Sequence, residues 1–164
     1  LDWKDILSEK GAWDAMFWMG GLVALATALA KSGFIAWIAK LIGTAVAAAD
    51  MGWVASFVLI SLIYIYSHYC FASVTARISA MYAAFVAVAA ACGVPAMLVA
   101  ITFGCFANLP ISLTHYGNGC GPVYFGAGYV SQGEWWRNGF IITTINVVIW
   151  LTIGMAWWKF IGLY

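Results

Sequence analysis

A polar, glycine-rich stretch at residues 107–128 carries side chains that can bind a small molecule inside an otherwise apolar chain. Its hydroxyl, amide and imidazole groups are those of Asn108, Ser112, Thr114, His115, Tyr116 and Asn118. Two prolines and five glycines interrupt any helix through it. The run Gly117-x-Gly119-x-Gly121 lacks the spacing of a dinucleotide-binding loop, yet it exposes backbone amides and carbonyls to a ligand. We therefore predict a binding loop here, with a tight surface turn as the alternative.

A second polar segment, residues 67–77, lies between two apolar arms at 53–66 and 78–91. Its polar members include His68, Ser73, Thr75 and Arg77. Each arm has about 14 residues, which as a helix spans about 21 Å, less than the roughly 30 Å of a bilayer core. The pattern fits a re-entrant hairpin and two ordinary helices with an exposed loop equally well.

Arg77 is the only formal charge between Asp50 and Glu134. A charge within a membrane segment costs a few kcal/mol or more and marks a functional site by default. Because a planar guanidinium matches a carboxylate, we predict that Arg77, with His115 as a partner, contacts an anionic substrate. The alternative is that Arg77 extends from a helix end to the membrane interface.

Catalysis and metal binding have little support in the sequence. The two histidines, His68 and His115, have no carboxylates nearby, and the four cysteines are widely spaced, so we predict no metal site and no cofactor. Ser73 and His115 are a conceivable nucleophile and base, but no acid is placed to orient the histidine. We therefore predict that the protein is not an enzyme.

The composition is that of an integral membrane protein. Hydrophobic residues make up 65% of the 164 residues and charged residues 8%, and the mean hydropathy is +0.96. Soluble domains contain about 25% charged residues. The net charge of +1 gives no reason to expect a nucleic acid partner. The chain begins at Leu1 without a signal peptide pattern, which suggests a piece of a longer protein.

Hydrophobic runs and breaks predict an all-α, multi-pass organisation. The predicted segments are a polar interfacial segment at 1–14, a transmembrane helix at 15–30, an interfacial or packed helix at 33–50, a re-entrant hairpin at 53–92 with its tip near 67–77, a discontinuous helix at 95–130 broken at 107–121, and a terminal transmembrane helix at 135–159. Broken helices of this kind indicate the binding site of a transporter.

Several motifs carry a family resemblance: Trp3-Lys4-Asp5-Ile6-Leu7, Gly11-Ala12-Trp13-Asp14 running into Gly20-Gly21-Leu22, Phe71-Ala72-Ser73-Val74-Thr75-Ala76, Leu113-Thr114-His115-Tyr116-Gly117, and Trp135-Trp136-Arg137 with Trp157-Trp158-Lys159. Together they resemble the divalent anion/sodium symporter (DASS) family, most of all its citrate/succinate-type antiporters and plastid 2-oxoglutarate/malate translocators. The Thr-His-Tyr-Gly loop is the most specific of them. The resemblance covers the whole chain but only the C-terminal part of a family member.

The resemblance implies two inverted repeats, each with a re-entrant hairpin and a broken helix, of which this chain is the second. It implies exchange of succinate, citrate, tartrate, 2-oxoglutarate or malate by an elevator-like movement. The implied partners are the bilayer, a missing N-terminal part and, at full length, a second copy in a homodimer, and we expect a bacterial inner membrane. A truncated remnant without transport, a structural membrane subunit and a sodium-coupled symporter are the alternatives.

The resemblance also places substrate contacts at the hairpin tip and the loop. The family's tip carries Ser-Asn-Thr, which matches Ser73, Val74 and Thr75; Val74 removes an amide oxygen, which disfavours sodium as a co-substrate. With the candidates argued above, the predicted substrate-binding residues are Ser73, Thr75, Arg77, Asn108, Thr114, His115, Gly117, Asn118 and Gly119. Ser73 and Asn108 would form at most a weak sodium site.

Overall fold

In a computed structural model, which describes residues 2–49 and 51–164, helices are joined by short turns and loops, and these residues contain no strand. Its α-helices are α1 Trp3–Ser8, α2 Lys10–Lys31, α3 Phe34–Ala48, α4 Trp53–Tyr66, α5 Val74–Ala91, α6 Ala96–Phe106, α7 Gly121–Gly126, α8 Gln132–Ile149 and α9 Met155–Phe160. Two 3₁₀ turns, Ser67–Cys70 and Leu109–Ser112, and a π-helical segment, Trp150–Gly154, complete the helical elements. The all-α prediction is confirmed.

Three helical stretches among the described residues are long and apolar enough to cross a membrane: Trp53–Cys70, Val74–Ala91 and Gln132–Phe160. They support the prediction of an integral membrane protein. The helix α3 has 15 residues and is shorter than these three. The predicted span at 15–30 lies within α2, where several side chains are outside the described part, and it stays a prediction.

Helices α4, α5 and α6 form the core. The fully buried side chains at its centre are Phe57, Ile60, Tyr64, Phe85, Leu98 and Phe103. The ring of Tyr64 lies parallel to that of Phe103, with centroids 4.7 Å apart, and Tyr82 Oη donates to the Ala100 carbonyl at 2.9 Å, joining α5 to α6. The helices α2 and α3 pack on α5.

The chain reverses between α5 and α6 at a glycine. Gly93 has a φ of +82°, a conformation that only glycine adopts without strain. Its amide donates to the Ala90 carbonyl, and the Val94 amide donates to the Ala89 carbonyl, which satisfies the last carbonyls of α5. Pro95 then precedes α6, since proline fits the start of a helix and not its interior.

Helix α8 supports the polar loop from behind. It begins at a capping box in which Ser131 and Glu134 satisfy each other's backbone amides. About two turns beyond the cap, Gly139 lies against the Ser112 carbonyl, and one turn later Thr143 Oγ1 lies 3.3 Å from Ser112 Oγ. The 3₁₀ turn Leu109–Ser112 is therefore held directly on α8.

Candidate functional site

The predicted tip consists of the 3₁₀ turn Ser67–Cys70 and a short extended segment that ends at Ser73. Helix α5 begins at Val74, inside the predicted tip at 67–77, because Ser73 caps it: its Oγ accepts from the Ala76 amide at 3.4 Å. Ser73 is half-buried and Thr75 is exposed in the first turn. Both hydroxyls thus lie at a helix N-terminus, where unpaired amides and the helix dipole favour an anion.

The loop at 107–120 contains no α-helix and is folded on itself by Asn118. Its Oδ1 accepts from the amides of Cys120 at 2.8 Å and Gly121 at 2.6 Å. Its Nδ2 donates to the Ile111 carbonyl at 3.0 Å. The predicted substrate contact of Asn118 therefore competes with three bonds to the backbone, and the side chain is already an organiser of the loop.

The loop and the tip meet at Gly117. Its Cα packs so closely on His68 that an added Cβ would collide with Nε2, and the same Cβ would lie 2.7 Å from Thr114 Oγ1. Tyr116 Oη also donates to the Tyr69 carbonyl at 2.9 Å. His68 and Thr114 are fully buried, and Thr114 Oγ1 and both imidazole nitrogens of His68 have no partner within the described part of the chain. Residues 68–69 and 114–117 thus form one polar joint.

His115 points toward α8. Its Nδ1 accepts from Trp136 Nε1 at 3.3 Å, and its ring stacks on Phe125 at 4.3 Å between centroids. Since an indole nitrogen can only donate, the neutral imidazole carries its proton on Nε2. Ser73 and His115 each have another hydrogen-bond partner, and no bond between them occurs among the described residues.

Arg77 is buried, with none of its surface exposed, and its guanidinium donates to backbone carbonyls at the ends of α4 and α6. The alternative that Arg77 extends to the interface therefore does not hold. The predicted contact with a carboxylate stays a prediction.

Asn108 and Gly119 take no part in the hydrogen bonds described above. Asn108 is exposed and precedes the turn Leu109–Ser112 without a capping bond from its side chain. Gly119 is exposed and has open space around it. No hydrogen bond joins Asn108 to Ser73 in the part of the chain that the structure describes, so the sodium site stays a prediction.

Two residues that fix the site were not among the predicted contacts. Tyr69 supplies the carbonyl that holds Tyr116, and Trp136, named above only within a family motif, holds His115. The aromatic residues beside the polar tip were the one sequence signal for these two contacts, because every residue has a backbone acceptor and the sequence does not show which one is used.

Comparisons with known proteins agree along the whole chain. The sequence model of the sodium:sulfate symporter transmembrane region matches residues 1–164. The chain is 45% identical, over its full length, to the chloroplastic dicarboxylate transporter 1 of Spinacia oleracea and to the putative malate transporter YflS of Bacillus subtilis. It is 36% identical to the inner membrane protein YbhI of Escherichia coli over 97% of its length. It spans 29%, 34% and 33% of these three proteins.

Proposed function

This chain belongs to the sodium:sulfate symporter family, the divalent anion/sodium symporters, and from that membership we propose that it is part of a membrane transporter of dicarboxylates. The observation that carries the proposal is that the chain, aligned over its full length, is 45% identical to a dicarboxylate transporter. The relatives are about three times as long. The transporting unit is therefore proposed to include an N-terminal part and a second copy, in a bacterial inner membrane.

The proposed mechanism is exchange of one di- or tricarboxylate for another by an elevator-like movement of the segments 53–92 and 95–130. A carboxylate of the substrate would bind at the N-terminus of α5, where the hydroxyls of Ser73 and Thr75 lie beside unpaired amides. The joint between the tip and the loop supports this, because it places residues 114–117 against the turn that leads to Ser73.

Exchange is proposed in preference to sodium coupling because of Val74. A hard cation needs several oxygen ligands, and a valine side chain supplies none where the family's asparagine would supply one. We therefore expect Val74→Asn to make uptake depend on sodium.

The experiment is counterflow in proteoliposomes loaded with succinate. External labelled malate, 2-oxoglutarate, citrate and tartrate are offered with and without sodium, to this chain alone and to this chain joined to the N-terminal part of the Bacillus subtilis relative. We expect sodium-independent uptake by the joined protein. Ser73→Ala should raise the KM at least about tenfold, the usual scale for losing a hydrogen bond to a charged group.

The matched control is Ser79→Ala, which changes an exposed serine of the same helix and should leave the KM unchanged. Uptake that requires sodium in the unmodified protein would replace exchange by symport. A joined protein that inserts correctly and takes up none of the four anions would leave a remnant or structural subunit as the function.

A further inference from the structure

The guanidinium of Arg77 contacts two chain segments, the end of α4 and the end of α6. Its Nη1 donates to the carbonyl of Tyr64, in the last turn of α4, at 2.9 Å. Its Nη2 donates to the carbonyls of Phe106, at 3.2 Å, and Ala107, at 2.5 Å, where α6 ends. The guanidinium carbon lies 4.6 Å from the centre of the Tyr64 ring. One side chain from the first turn of α5 thus touches the ends of the two neighbouring core helices.

These acceptors suit a cation that has no acid beside it. The last carbonyls of a helix lack intrahelical donors and carry the negative end of the helix dipole. Charged side chains within membrane segments pair with such carbonyls when no opposite charge is present. No carboxylate pairs with Arg77 among the described residues, and the carbonyls with the Tyr64 ring take that place.

The same bonds leave no edge of the guanidinium free for a carboxylate. Two oxygens of one carboxylate bind either to Nη1 with Nη2 or to Nε with Nη2. Both edges include Nη2, which already donates to Phe106 and Ala107. Nε is buried without a partner, and a single nitrogen cannot form the two parallel bonds.

Three segments meet at Arg77: the end of α4, the end of α6 and the start of α5. The end of α4 leads into the turn Ser67–Cys70, the end of α6 leads into the loop at 107–120, and Arg77 lies four residues after Ser73. We propose that Arg77 is a positioning residue: it fastens the ends of α4 and α6 to the start of α5, so that tip and loop keep one arrangement and move together. Only the effect on transport rests on the proposed function.

The first test observes the guanidinium directly in the full chain. Arg77 and Arg137 are the two arginines of the sequence, and Arg137 is exposed, so a protein with ¹⁵N-labelled arginine in lipid nanodiscs gives one buried signal and one internal control. We expect the terminal nitrogens of Arg77 to give separate signals, because bonds to carbonyls hinder their rotation, while those of Arg137 average. An averaged Arg77 signal would overturn the proposal.

The second test uses Arg77→Lys, which keeps the positive charge but loses the planar guanidinium and its several donors. Arg137→Lys is the matched control. Backbone hydrogen exchange should rise about tenfold in both 64–71 and 104–113 for Arg77→Lys, the scale expected for lost charge-assisted bonds, and in neither for Arg137→Lys. If backbone hydrogen exchange rises in only one of the two segments, or in neither, Arg77 does not hold the ends of α4 and α6 together.

Transport separates the proposal from the proposed function. In the joined protein, Arg77→Lys should lower kcat more than it raises the KM, since the substrate contacts remain while their common movement is disturbed. If the KM rises while kcat and backbone hydrogen exchange stay unchanged, Arg77 is a substrate ligand instead. If the joined protein without the substitution transports nothing, the ¹⁵N signals and the pattern of backbone hydrogen exchange still decide the role of Arg77.

Discussion

Gly117 shows how little space a residue of the joint has. Its Cα faces the imidazole of His68 and the hydroxyl of Thr114, and any Cβ would collide with Nε2. Both neighbours are fully buried, so neither side chain can move into solvent. A methyl group at this position must therefore separate the loop from the tip.

We expect Gly117→Ala to lower the free energy of unfolding by about 1–3 kcal/mol, the usual cost of overpacking. The measurement is the thermal unfolding midpoint in detergent. Gly119→Ala is the matched control: it lies two residues away with nothing within 4 Å of the added Cβ, and it should change stability by no more than about 0.5 kcal/mol. Equal midpoints for the two variants would mean that the loop does not pack on His68.

Residue types were easier to predict from the sequence than their partners. The isolated charge of Arg77 and the polar groups near His68 and Thr114 were visible as exceptions in an apolar chain. Arg77 donates to backbone carbonyls, and His68 and Thr114 pack against the Cα of a glycine. Every residue has a carbonyl, so the sequence offered no reason to choose those of Phe106 and Ala107 over a carboxylate.

At the scale of elements, the contact between α8 and the loop depends on one glycine. An added Cβ at Gly139 would collide with the Ser112 carbonyl and lie 3.0 Å from Leu113 Cα. Both are backbone atoms, which cannot turn aside as a side chain can. The helix itself would have to move away from the loop.

We expect Gly139→Ala to lower the unfolding midpoint and to make the loop at 107–120 more sensitive to limited proteolysis. It should do so although alanine favours a helix over glycine by about 0.5–1 kcal/mol. Gly133→Ala, on the first turn of the same helix with nothing within 4 Å, should gain that propensity and leave proteolysis unchanged. Identical cleavage of the two variants would contradict the close packing of α8 on the loop.

Helix ends were predictable where the sequence carries a stop signal. Helix α6 covers Ala96–Phe106, the range indicated by Pro95 and by the polar residues after Phe106. The start of α5 was placed too late, at Ile78, because serine and threonine were interpreted as part of the tip. The structure uses Ser73 as a cap, so the helix begins within the polar segment.

At the scale of the whole molecule, large apolar side chains remain on the surface, including Phe17, Trp37 and Phe160, which are 72%, 60% and 81% exposed. In a membrane protein such side chains face lipid or neighbouring helices. Composition alone predicted the membrane class, because the requirement for apolar residues applies to every position of a span.

The π-helical segment Trp150–Gly154 interrupts the last membrane-length helix between α8 and α9. A π turn holds one residue more than an α turn. The segment thus accommodates one residue more than a regular α-helix would, while Val147 before it and Trp158 after it are both buried. Removing one residue elsewhere in a helix rotates everything beyond it by about 100°.

This helix should therefore tolerate a change of length in one place only. A chain lacking Thr152 should relax to a continuous α-helix, keep Trp158 in the core and unfold at nearly the original temperature. A chain lacking Ile145, which is also exposed but lies in regular α-helix, should turn Trp158 toward lipid and unfold earlier, with a shifted tryptophan fluorescence. Relatives that differ by one residue in this helix would then be expected to differ between positions 150 and 154.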